Sequence, residues 1–153
     1  MDHDQEKGGW DQEVRCYVYD YVMREGMLPS VAGTATGLGQ SFEQVAAAFR
    51  RLAHAHMLVL QPGTGEIRMA NPFSAVPTSF KAHAGGHTLY GNCIWDGLGI
   101  FAMLHQDGRL ETSCGCCGTA LPVTITGGTL NAPEGVAHFA IPAAHWWDDI
   151  VTS

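Results

Sequence analysis

Gly91-Asn92-Cys93-Ile94-Trp95-Asp96-Gly97-Leu98 is the stretch on which the reading of this sequence turns. Asn92 is a good helix N-cap, and behind it Ile94, Leu98, Phe101 and Leu104 recur at helical spacing. A helix starting there puts Cys93 in its first turn. Free backbone N–H groups and the positive end of the helix dipole then favour thiolate over thiol. Asp96 lies three residues on, so its carboxyl shares a face with the Cys93 sulfur. A soft nucleophile beside a proton donor or acceptor is the minimum equipment for cleaving a bond to a thiophilic atom. The competing reading is a buried Cys acting as a small hydrophobe, with an Asp that merely favours the early helix.

Upstream of this stretch the sequence reads as helical. Residues 1–9 are expected to form a flexible tail. Val14, Tyr17, Val18, Tyr21 and Val22 give a helical stripe from Gln12 to Arg24, with Gly26 as its stop. Pro29-Ser30 opens a short helix to about Gly37, and Ser41 caps another over Phe42 to His56. Leu58–Leu60 and Ile67–Met69 flank Pro62-Gly63-Thr64-Gly65 as a hairpin. Helix, helix, turn, helix and hairpin make a winged-helix outline over residues 10–80. His54 and His56 fall on different helix faces, which argues against a shared metal.

Residues 81–153 read as the second part. Ser79–Ala82 and Thr88–Tyr90 are strands around a bend at Ala84-Gly85-Gly86, where His83 and His87 could meet. Past the Cys93 helix, Arg109–Thr112 is a strand, and Leu121–Thr126 alternates as a half-buried one. Gly127-Gly128 turns into Thr129–Asn131, Val136–Ile141 reads as a last strand, and His145–Ile150 as a short helix or loop. The class is α+β.

Composition narrows the function. Hydrophobic residues make up 46% of the 153 and charged ones 15%, which describes a folded chain. With a net charge of −7 and only eight Lys and Arg, a nucleic-acid partner is disfavoured. No apolar run approaches the ~20 residues of a membrane span, and the acidic start has no secretory apolar region. Five Cys, three of them in Cys114-Gly115-Cys116-Cys117, favour reduced thiols in a cytoplasmic protein over a disulfide framework. The C-x-C-C loop offers two or three sulfurs to one soft ion such as Hg, Cu or Zn; Cys93 with Cys114, Cys116 and Cys117 could complete four ligands.

The ordered succession of segments carries a further signal. Ala70-Asn71-Pro72-Phe73-Ser74-Ala75-Val76-Pro77-Thr78 comes first, then Asn92-Cys93-Ile94-Trp95-Asp96-Gly97-Leu98-Gly99-Ile100. Thr112-Ser113-Cys114 and Gly118-Thr119-Ala120-Leu121-Pro122-Val123 follow. In that order, over roughly residues 13–153, they resemble the organomercurial (alkylmercury) lyase family. The resemblance implies a winged-helix-like helical module packed on a mixed sheet-and-helix lyase-type domain. It implies protonolysis of a carbon–mercury bond, with Cys93 as first mercury ligand and Asp96 as proton donor. An organometallic or metal-ion ligand and external thiols are then the partners, mercury is substrate or product, and no cofactor is required. Cys114 matches a thiol read as non-catalytic in that family, whereas Cys116 and Cys117 are additional. The family also carries a second catalytic Cys in a late segment, while here no Cys follows Cys117. Ile94-Trp95 stands where smaller or aliphatic residues are usual. The reading is therefore a shortened lyase-like protein that draws its second thiol from the loop. A noncatalytic soft-metal-binding protein is the alternative, and a winged-helix metal-responsive regulator the third.

Overall fold

The structure, a computed structural model, describes the backbone of residues 2–148 and 150 and side chains from Gly8 onward. Helix α1 (Asp2–Glu25) therefore takes in residues 2–9, where a tail was expected. Once a helix is anchored by Val14, Val18 and Val22, each added residue gains a bond for one residue's freedom, even through Gly8-Gly9. Gly26, at φ +73°, ends it as anticipated, its N–H bonding to Val22 O at 2.9 Å.

Helices α2 (Val31–Leu38) and α3 (Phe42–His54) begin where their serines announce them. Ser30 Oγ accepts from Gly33 N–H, and Ser41 with Gln44 forms a reciprocal capping box. Three short antiparallel strands follow: β1 (Val59–Leu60), β2 (Ile67–Ala70) and β3 (Phe73–Ser74), in that spatial order. A first core gathers Val14 and Val18 of α1, Val31 of α2, Phe49 and Leu52 of α3, and Ile67.

The second sheet has five antiparallel strands in the order β5-β4-β6-β7-β8. They are β4 (Phe80–Ala84), β5 (His87–Gly91), β6 (Gly108–Ser113), β7 (Ala120–Thr126) and β8 (Thr129–Asn131). Ala82, Leu89, Leu110 and Val123 line one face, as the period-2 pattern requires. Helix α4 (Ile94–Leu104) lies across that face and buries Ile100 and Phe101 there, joined by Phe73 and by Val22 of α1. No helix among the described residues is long and apolar enough to cross a membrane.

The expected last strand, Val136–Ile141, is not one. It has no sheet partner, and Val136 is 92% exposed. Its alternating pattern finds no ladder, since the edge strand β8 is three residues long and pairs only with β7. A single 3-10 turn, Ala143–His145, comes after it; Asp149, in the expected helix-or-loop stretch, lies outside the described residues.

Candidate active site around Cys93 and Asp96

The helix that carries Cys93 and Asp96 is held at its first turn. Gly91, the last residue of β5, sits so close to α4 that a Cβ there would lie 2.5 Å from the Gly97 nitrogen. Glycine is required by this approach of strand end to helix start. Thr78 Oγ1 donates to Gly91 O at 2.6 Å and accepts from Phe80 N–H, which fixes the same strand end. On the other side of the turn, a Cβ on Gly97 would meet the Leu110 side chain at 2.9 Å.

Cys93, not Asn92, is the N-cap of α4: its backbone is extended and its carbonyl accepts from Gly97 N–H at 2.9 Å. The Asn92 side chain goes elsewhere, its Nδ2 donating to Asp96 Oδ2 at 3.0 Å. An Asn amide is a donor as well as an acceptor, and a carboxylate is the stronger partner for that donor.

The electrostatics depart from the sequence expectation at Cys93. Burial pushes its thiol up. The N–H groups of Asp96 and Trp95 near the sulfur work in the opposite direction, and the nearby Asp96 charge adds to the rise. Desolvation wins over the helix end because the sulfur is half-buried, so the resting group is a thiol. Asp96 is also raised, chiefly by burial, against the hydrogen bonds from Asn92. The carboxyl is thereby moved toward holding a proton, in the sense that proton delivery needs.

Two contributors to this corner are distant in sequence and were not anticipated. Tyr19 of α1 donates to Asn71 O at 2.8 Å, and the charge of Asp96 helps raise the Tyr19 hydroxyl, after burial as the main cause. Asn71 Oδ1 in turn lies 3.5 Å from Asn92 Nδ2. Only the length-independent fact of α1 packing on the second core links them, and no local motif spells that out. Trp95 points outward, 69% exposed, and with Phe139, Ile141 and Trp146 lines a cleft of about 640 Å³.

The loop cysteines form a separate group. Strand register places Phe80 opposite Gly91, and Lys81 opposite Glu111. The β6–β7 turn carrying Cys114, Cys116 and Cys117 is thus at the same sheet end as Cys93 but two strands over, roughly 10 Å to the side at ~4.8 Å per strand. Among the described residues no three or more His, Cys, Asp or Glu side chains are placed to hold a metal. The expected four-sulfur set of Cys93, Cys114, Cys116 and Cys117 is therefore not assembled. Within the loop, the N–H groups of Cys116 and Cys117 approach the Cys114 sulfur and lower its pKa, helped by the Cys117 side chain and, less, by that of Cys116. His83 and His87 do not pair with each other: His83 Nδ1 lies 3.1 Å from Thr88 Oγ1, and its Nε2 lies 3.3 Å from Glu111.

This ordering of thiols has a direct readout. At neutral pH iodoacetamide is expected to alkylate Cys114 before Cys93, by roughly tenfold or more in rate, because the loop N–H groups lower the Cys114 pKa while burial raises that of Cys93. Peptide mass mapping over a time course checks it. Faster labelling of Cys93 would restore the helix-end thiolate.

Comparison with known proteins bears on this geometry. The family model for alkylmercury lyase matches residues 73–153, a span that runs from β3 through the Cys93 helix and the cysteine loop. No curated protein matches the sequence. Among solved structures, the fold is similar to the crystal structure of the mercury-bound form of MerB2, with a TM-score of 0.62 and 24% identity. That similarity covers 78% of this chain and 58% of the other, so the chain spans little more than half the length of that relative. Since the family model takes in more than half of the sequence, including the turn that joins Cys93 to Asp96, the chain belongs to the alkylmercury lyase family.

Proposed function

We propose that this protein cleaves carbon–mercury bonds by protonolysis, with Cys93 binding the metal of R–Hg–X and Asp96 moving the proton. The observation that carries the proposal is the shared first turn. A half-buried thiol and a carboxyl with raised pKa sit within one helical turn, the carboxyl held by Asn92.

The steps balance. The Cys93 S–H gives its proton to the Asp96 carboxylate as a sulfur–mercury bond forms and X⁻ departs. A second thiolate then adds to mercury and raises the electron density on carbon. The Asp96 proton passes to that carbon, the carbon–mercury bond breaks, and R–H leaves with mercury held between two sulfurs. Mercury binds sulfur in preference to nitrogen or oxygen donors, as its softness dictates. With the loop two strands away from Cys93 in the sheet order, an external thiol is the second ligand in this scheme. The cleft beside Trp95 is a fitting place for the organic group. The order of three helices and a hairpin supports reading residues 10–80 as a winged-helix-like scaffold; the net charge of −7 speaks against a regulator that grips DNA.

The test is hydrocarbon release. Purified protein with phenylmercury or methylmercury and excess thiol is expected to release benzene or methane, followed by gas chromatography. If organomercurial binds but no hydrocarbon appears, the second reading takes over: a noncatalytic thiolate protein for soft metals. Three thiols gathered in one turn, Cys114 with the exposed Cys116 and Cys117, are the observation that favours it.

A further inference from the structure

We infer that the turn Cys114–Gly118 is a second, self-contained thiolate site that holds one soft, two-coordinate cation, Hg²⁺ in particular, between the sulfurs of Cys114 and Cys117. The site is independent of the reaction proposed for Cys93, and it would stand if that reaction failed.

The turn is closed on itself. Cys114 N–H donates to Thr119 O, and Gly118 N–H donates back to Cys114 O, both at 2.8 Å. Gly118 takes φ +70°, a left-handed conformation that lets the chain return into β7 at Ala120, opposite Ser113. This curl turns the N–H groups of both Cys116 and Cys117 toward the Cys114 sulfur, an arrangement that favours a bound thiolate. The side chains of Cys117 and, less strongly, Cys116 both come back toward the Cys114 sulfur, while the Cys117 Sγ rests 3.1 Å from Thr119 Oγ1; the stronger approach selects Cys117 as the second ligand. Cys116 and Cys117 are exposed, and a Cβ on Gly115 would meet nothing within 4 Å, so an ion has open access.

Ligand number selects the ion. Two thiolates satisfy an ion that prefers two sulfurs in line. Zinc, which wants four ligands, finds no such set among the described residues. Binding converts two S–H groups and Hg²⁺ into two sulfur–mercury bonds and releases two protons to the solvent. Cys116 is left over as a free thiol.

A Cys16→Ala, Cys93→Ala protein retains only the loop thiols, three of the five cysteines. On adding one equivalent of HgCl₂, thiols that react with a chromogenic disulfide reagent are expected to fall from three to one, with the protein still monomeric by sedimentation and an ultraviolet sulfur–mercury charge-transfer band appearing. Adding Cys117→Ser should make the bound Hg²⁺ about 10²- to 10⁴-fold easier to remove with a competing monothiol, the usual gain from tethering two binding events being lost. Adding Cys116→Ser instead should change that competition by less than about threefold, within ordinary context scatter. Equal weakening by the two serine variants, mercury-bridged dimers, or loss of one thiol per Hg²⁺ would each overturn the site. So would displacement of Hg²⁺ by an equal concentration of Zn²⁺.

Discussion

Asp96→Asn is expected to leave organomercurial binding at Cys93 intact and to slow hydrocarbon release by roughly 10²- to 10⁴-fold, the range typical of a lost acid–base group. Asn keeps the size and can still accept from Asn92, but it carries no proton to give. Stability provides an independent check on the same carboxyl. Its folded pKa is raised above 3.8, so the folded protein holds that proton more tightly than the unfolded chain does. The stability linked to this group is then fully present below about pH 3.8 and is lost as pH rises through the folded pKa. Asn mimics the protonated form throughout. Wild type and variant should therefore melt together in acid, and the variant should melt higher at neutral pH. A variant that melts lower at neutral pH would mean that the fold favours the carboxylate, and the donor role would fall with it.

Cys93→Ala is expected to abolish release altogether and to remove one bound organomercurial per chain, because the ligand itself is gone. Cys93→Ser separates chemistry from packing. The hydroxyl fills nearly the same half-buried space at the start of α4, yet oxygen is a hard donor that mercury binds poorly. Both variants should therefore be inactive, with mercury at the loop unaffected. Equilibrium dialysis of labelled phenylmercury, alongside the release assay, measures both quantities. Turnover by the serine variant above background would remove Cys93 from the role of metal ligand.

Much of this site could be read from the sequence because its parts are local. Cys93 and Asp96 are one turn apart, and the serines at 30 and 41 mark their helices through hydrogen bonds within three residues. What escaped was set by packing. The thiol's protonation depends on how much of α4's start is covered, and Asn92 chose the Asp96 carboxyl over the cap because both were within reach. Residues 136–141 have the composition of a strand but no neighbour to bond to, which no reading of one segment alone can reveal. The loop cysteines failed to join Cys93 for a similar reason: the strand order β5-β4-β6 inserts a strand between them. Tyr19 and Asn71 became visible only when α1 was laid beside the second core.

Helix α1 belongs to both cores: Val14 and Val18 lie in the first, Val22 in the second, and Tyr19 touches each. The matched family region opens at Phe73, well after that helix ends, yet it does not contain all of its own interior. Residues 73–153 cut away from the rest would expose the surface that Val22 covers and leave Asn71, with its bond to Tyr19, behind. The protein's two halves thus share a keystone, and loosening either one withdraws support from the other. Tolerance to mutation follows the same line: a polar substitution on the inner face of α1 reaches the Cys93–Asp96 turn without touching it, so the segment farthest in sequence from that turn constrains where the Cys93 thiol can stand.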